Sequence, residues 1–168
     1  MGRALLMSIL LLNLVGCGLA KPHLETHHEF LITPGIGIKN LSLNDSIKHA
    51  KTQFSREFVV KEGYLFLPAK GIDATYGEDG RISVIFLYYK LPNYVVFDGI
   101  TSKGIGKDST PEDVIKAYGR PTREGESIIS EFGSVPGARE QTLTYTHTGI
   151  EFTFWDNKLA DIRVTIPN

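Results

Sequence analysis

The sequence predicts an α+β fold made of two tandem units, each a short helix followed by an antiparallel meander, with the sheets packed together or continuous. Three observations predict it. The same landmarks occur twice along the chain in the same order. Each copy holds one capped segment with helical spacing of apolar residues. Each copy then runs into segments of alternating apolar residues separated by turn formers, the period-2 pattern of half-buried strands.

The N-terminus stands apart from those units. One cation, Arg3, precedes an apolar run from Ala4 to Val15, and small residues follow. The run is 12 residues long, against roughly 20 for a spanning helix. Residues 1–16 are therefore expected to be a secretory signal that is removed. Residues 17–29 show no sustained period and are expected to form a tether. His23, His27 and His28 fall in it at a spacing that admits a metal ion. No carboxylate pattern accompanies them, so a polar tether is expected and no metal.

The first unit, residues 30–92, opens with Gly37-Ile38, Ser42, Asp45 and Ile47. The second, residues 93–168, opens with Gly104-Ile105, Ser109, Glu112 and Val114, at a constant offset of 67 (37 to 104). Later landmarks are Leu65, Gly71-Ile72, Asp79 and Ile85, matched by Leu143, Gly149-Ile150, Asp156 and Ile162. Their offset is 77 or 78 (79 to 156, 65 to 143), so the second unit has a longer loop, expected at Glu124–Gln141.

In the first unit, Asn44 to about Phe54 is the expected helix, and Phe58–Leu67 contains the first strand. Ile72, Ala74 and Tyr76 lead to Asp79-Gly80, a strong hairpin turn. The strand Ile82–Tyr89 is apolar on both faces apart from Ser83, so something must cover its second face. Ile85, Leu87 and Tyr89 are expected on that spare face. Short strands near Glu29–Ile32 and Tyr94–Phe97 are expected to extend the sheet.

In the second unit, Thr110-Pro111-Glu112-Asp113 is a helix start, with a capping hydroxyl, proline at the first position and an acid at the third. Val114, Ile115, Ala117 and Tyr118 supply the apolar stripe, and Gly119 with Pro121 stops it. Strands follow at Thr142–His147, Ile150–Trp155 and Asp161–Ile166. Their alternation gives one face under the helix and one wet face. Trp155 falls on the wet face in register with Glu151, Thr153 and Arg163. Tryptophan and arginine are common interface anchors, so these three positions (Glu151, Trp155, Arg163) and Ile85, Leu87 and Tyr89 are the candidate partner-binding residues.

Composition narrows the function. Beyond the signal the chain carries 17 basic and 19 acidic side chains, Arg3 being the one charge removed. That balance offers no field for nucleic acid. Cys17 is the one cysteine, so disulfide frameworks, thiol catalysis and cysteine metal sites are excluded. No nucleophile elbow, phosphate loop or paired-ligand spacing occurs. Gly35-Ile36-Gly37 and Gly104-Ile105-Gly106 read as turns. His49 and His147 stand alone, and Glu112-Asp113 suits a helix start. Neither an enzyme nor a cofactor is expected, and no small-molecule substrate is evident.

Two resemblances add to this reading. Leu14-Val15-Gly16-Cys17 resembles the lipobox of bacterial lipoproteins. That resemblance implies diacylglycerol on the Cys17 thiol, cleavage before it and acylation of the new amine. The alternative is ordinary cleavage after Ala20, with Cys17 discarded. Gly119-Arg120-Pro121, the Tyr/Leu strand, Gly149-Ile150-Glu151-Phe152-Thr153-Phe154, Asp156-Asn157-Lys158-Leu159 and the final Ile/Val strand resemble small lipoproteins related to BamE. They also resemble the β-lactamase inhibitor protein, which has two tandem copies of such a unit; its disulfides have no counterpart here. Together these imply a lipid-anchored protein of the bacterial outer membrane that binds another protein without catalysis. It would be a periplasmic scaffold or assembly factor, or else a surface-displayed binder of host proteins or inhibitor of an external enzyme.

Overall fold

A computed structural model describes residues 27–54 and 58–168; Cys17, His23 and the expected signal, residues 1–16, lie outside them. The chain starts with three short strands, β1 (Phe30–Ile32), β2 (Gly37–Ile38) and β3 (Leu41–Ser42), then helix α1 (Ile47–Phe54). Four strands follow: β4 (Val59–Lys61), β5 (Tyr64–Leu67), β6 (Ile72–Tyr76) and β7 (Ile82–Tyr88). The second half runs β8 (Gly99–Thr101), α2 (Pro111–Tyr118), β9 (Arg123–Ile128), β10 (Arg139–Tyr145), β11 (Ile150–Trp155) and β12 (Lys158–Thr165).

The predicted mixture of helices and antiparallel strands is what forms. One eight-stranded sheet has the order β4-β5-β6-β7-β12-β11-β10-β9. Each half of the chain contributes a four-stranded meander, and the two join antiparallel through their last strands, Leu87 opposite Ile162 and Ile85 opposite Val164. Those two strands form the centre of the sheet, where Ile85, Leu87, Ile162 and Val164 are fully buried.

One apolar cluster spans both halves, so residues 30–92 and 93–168 share a core. It includes Leu65, Ile72, Ile85 and Leu87 from the first half and Leu143, Phe152, Phe154 and Ile162 from the second. Ala50 of α1 and Val114 of α2 are fully buried on the same cluster. Both helices thus cover one face of the sheet. The α2 start forms as expected: Thr110 accepts from the Asp113 N–H, and the Asp113 carboxylate accepts from the Thr110 N–H. That reciprocal bonding holds the exposed Asp113 carboxyl below the usual range and satisfies two donors at the helix end.

Four expectations are corrected. The segments near 30 and 95 do not extend the main sheet: β1 pairs in parallel with β8, Phe30 opposite Gly99, as a separate ribbon. Phe58–Leu67, expected to contain the first strand, contains two, the hairpin β4–β5 turning at Glu62 and Gly63, both at positive φ. The loop expected at Glu124–Gln141 is confined to residues 129–138, with strand on either side. Arg123–Ile128 pairs with β10 over six residue pairs as an edge strand whose charges mask the alternation signal.

The fourth correction concerns β7. Ile85, Leu87 and Tyr89 do not lie on the spare face; all three are buried in the core. The register slips beside Ser83: Thr75 faces Val84, while Tyr76 faces Ile82. That bulge inserts one residue and reverses the parity of everything after it. Val84, Phe86 and Tyr88 therefore occupy the face turned away from the helices, and all three are half-buried.

Candidate functional site

The face opposite the helices carries the groups that could meet a partner. One transverse row crosses the whole sheet at a single register level. It reads Val59, Phe66, Asp73, Phe86, Arg163, Glu151, Thr144 and Arg123, one residue from each strand. From Phe66 to Arg163 aromatic and charged side chains alternate, and the row then stays polar through Glu151, Thr144 and Arg123.

Arg163 organises that cluster. Its Nη1 donates to Glu151 Oε1 at 3.1 Å and its Nε donates to Asp161 Oδ1 at 3.2 Å. The guanidinium also lies 5.6 Å from the centre of the Phe86 ring, within cation–π range. Thr144 Oγ1 donates to Glu151 Oε2 at 2.7 Å, and Thr153 Oγ1 donates to Asp161 Oδ1 at 3.3 Å. One cation thus holds two carboxylates, and the planar fork lets it do so at fixed angles. Asp161 remains costly: burial pushes its carboxyl up to about 6 despite Arg163, with Glu151 adding like-charge repulsion.

A second buried carboxylate lies on the same face. Asp73 accepts from the Tyr94 hydroxyl at 2.8 and 2.9 Å. Burial pushes it up to about 6, and the hydrogen bonds from Tyr94 and Tyr88 only partly offset that. The neighbouring tyrosines titrate well above the normal range. Burial is the main cause for Tyr88 and Tyr94, and the Asp73 charge adds to it. Tyr88 and Tyr94 stand edge to face with centroids 5.0 Å apart, and Tyr64 and Phe66 stack at 5.6 Å. The result is an aromatic patch around Asp73 on the first half and an ionic cluster around Arg163 on the second.

Over the ionic cluster the surface dips into a groove of about 370 Å³, floored by Thr144, Glu151 and Arg163 and walled by Phe86, Arg123 and Thr165. Arg123 is exposed and makes no ion pair among the described residues. The groove is thus a polar trough with one aromatic wall and one available cation at its outer rim. Glu151 and Asp161 are both engaged by Arg163, so the trough can hold a complementary surface more readily than it can move protons.

The expected site residues divide cleanly. Glu151 and Arg163 meet on the groove floor, as their register implies. Trp155 lies on the same face but not in water, and it is no exposed anchor: it is 9% exposed. Ala138 and Ala160, with Leu91, Ile129 and Val135, pack around its ring, and its indole N–H donates to Glu140 Oε2 at 3.1 Å. The β9–β10 loop folds over it. Phe86, Asp73, Asp161 and Arg123 were not anticipated. Asp161 and Asp73 had a signal, since each is an acid inside an apolar-alternating strand. Of the tether histidines, His28 bonds Asp98 through Nδ1 at 3.0 Å, and Glu29 pairs with Lys70 at 2.8 Å, so the chain is already held there.

No protein-family model matches the chain, and no curated protein matches it significantly. Among solved structures it is similar to a DUF4309 family protein (YjgB) from Bacillus subtilis subsp. subtilis str. 168. The identity is 17%, the match covers 79% of this chain and 88% of that one, and the TM-score is 0.48.

Proposed function

We propose that this chain is a lipid-anchored protein of the bacterial cell envelope, held in the outer membrane through Cys17, that binds another protein on its open sheet face without catalysis. The observation that carries the binding part is the groove: an ionic floor of Glu151 and Arg163, an aromatic wall at Phe86 and at the rim an exposed Arg123 that forms no ion pair among the described residues. Aromatic and arginine side chains are enriched at protein interfaces, and Phe86, Arg163 and Arg123 supply them here. Of the six binding residues expected from sequence, Glu151 and Arg163 stay in the proposal. Trp155, Ile85, Leu87 and Tyr89 leave it because they are buried.

The fold also favours an origin by tandem duplication. Gly71 and Gly149 each end a single 3-10 turn in the left-handed conformation, at φ 68° and 67°, and each leads into the third strand of its meander. A scaffold on the periplasmic side and a binder displayed outside the cell use the same surface; they differ in which leaflet carries the anchor.

The test is site-specific crosslinking in intact cells. A photo-crosslinking residue at Thr165, in the groove, should capture a partner protein, and Arg123→Glu should abolish the capture by reversing the rim charge. The same residue at Ile115, on helix α2, should capture nothing. Equal capture from both positions sinks the binding-face reading. Mass spectrometry of the native N-terminus checks the anchor separately: an unmodified Cys17, or a chain beginning after it, removes it.

A further inference from the structure

We propose that the end of the sheet where the chain enters the domain rests on the bilayer and inserts Phe132 into it; this rests on the reading that Cys17 is acylated. Strand register defines that end. Leu67 faces Ile72, Ile72 faces Leu87, Tyr88 faces Asp161, Trp155 faces Lys158 and Ile128 faces Arg139. The connector Pro68–Lys70, the segment after β7, the Asp156-Asn157 turn and the β9–β10 loop therefore all lie at one end of the sheet. The chain enters there too, since Glu29 pairs with Lys70 and the Phe30 N–H donates to the Asp98 carbonyl. It then crosses toward the opposite end, where the Gly35 N–H donates to the Gly149 carbonyl.

Geometry limits where this end can go. The 13 steps from Cys17 to Phe30 span at most roughly 45 Å fully extended. Acyl chains at Cys17 would hold this end at an effective concentration near millimolar at the lipid surface, so even a weak contact would be occupied.

The same end carries bare apolar groups. Phe132 is 91% exposed, Ile128 66% and Val95 58%. Phe132 is not on a slack loop. Ile129 and Val135 pack on the Trp155 cluster, the Ile129 N–H donates to the Ala138 carbonyl and the Gly137 N–H donates to the Ile129 carbonyl. The sheet thus fixes a base that projects one phenyl ring outward, the kind of side chain that favours the membrane interface. Charges at this end are of both signs, Lys90 and Lys158 with Glu131 and Asp156. Contact is therefore through apolar insertion, without a need for anionic lipid.

The experiment uses the full chain with its native N-terminus, floated on phosphatidylcholine vesicles whose acyl chains are brominated to quench buried tryptophan. Phe132→Trp is compared with Ile166→Trp, at the opposite end, each against the background of Trp155. The added emission of Phe132→Trp should fall at least about twofold, that of Ile166→Trp should hold, and raising salt should change neither. Quenching of neither, or of both equally, on protein that floats with the vesicles overturns the inference and leaves the anchor intact. Protein that does not float removes the anchor and the inference with it. If Phe132→Trp is shielded from an aqueous quencher in whole envelopes yet untouched by brominated lipid, a protein covers this end instead, and the inference fails.

Discussion

Arg163 and Trp155 share one face of the sheet and do opposite things there. Arg163 keeps part of its guanidinium in water while binding Glu151 and Asp161, so it can be both structural and available. Trp155 is closed off by the β9–β10 loop and uses its one donor on Glu140. A tryptophan on a polar face tells only that something covers it: a partner, or the chain itself. Here it is the chain, through Ile129, Val135 and Ala138. Trp155→Ala should therefore destabilise the domain by about 3 kcal/mol, the cost of emptying a buried aromatic site. Chemical denaturation of the variant measures it directly. An unchanged midpoint would mean the loop collapses into the space without loss, and the loop would then have to be regarded as loosely attached.

At the level of elements, the two connectors that lead from the second to the third strand of each meander are tightly constrained at the backbone. A Cβ on Gly149 would lie 2.2 Å from the Thr165 carbonyl oxygen and 2.9 Å from the Gly35 Cα, at φ 67°. Gly104 also has positive φ but meets nothing within 4 Å. Gly149→Ala should cost at least about 2 kcal/mol and Gly104→Ala about 1 kcal/mol, the conformational term alone. Thermal unfolding of the pair checks the order, and Gly104→Ala as the worse variant would show the connector to be looser than drawn. Both glycines were visible in the sequence as repeated landmarks, as were α2 with its capping box and the Ile150–Trp155 and Ile162–Ile166 alternations, because each is a local signal. The parity of β7 was not visible. One inserted residue at Ser83 turns Ile85 and Leu87 inward and Phe86 outward, and only pairing with β6 reveals it. Strand β9 was hidden for a different reason: Arg123-Glu124-Gly125-Glu126-Ser127 has no apolar alternation because an edge strand needs none. Half of the groove was thus legible, Glu151 and Arg163 by register, while Phe86 and Arg123 depended on long-range pairing.

For the whole molecule, the open face and the core pull in different directions, and pH is the variable that exposes it. Burying Asp73 and Asp161 on the open sheet face costs stability when both are charged. Asp73 is faced by Tyr94, Tyr88 and the Leu67 backbone, and Asp161 by Arg163, Thr153, Glu151 and Tyr88. Their folded values of about 6 stand above the ordinary carboxylate value of 3.8, so the folded state binds protons more tightly than the unfolded one. The stabilisation is complete below the unfolded value and is lost as pH rises through about 6. From pH 7 to pH 5 the domain should therefore gain roughly 1 kcal/mol from each group. In urea denaturation the midpoint should rise over that interval for the native chain. It should stay nearly level for Asp73→Asn combined with Asp161→Asn, since neither asparagine titrates. A midpoint that is flat or falling for the native chain would show that the ionic cluster, with Arg163 at its centre, outweighs burial. The groove floor would then have to be regarded as a stabilising ion-pair network, not as a surface kept polar at a cost for a partner.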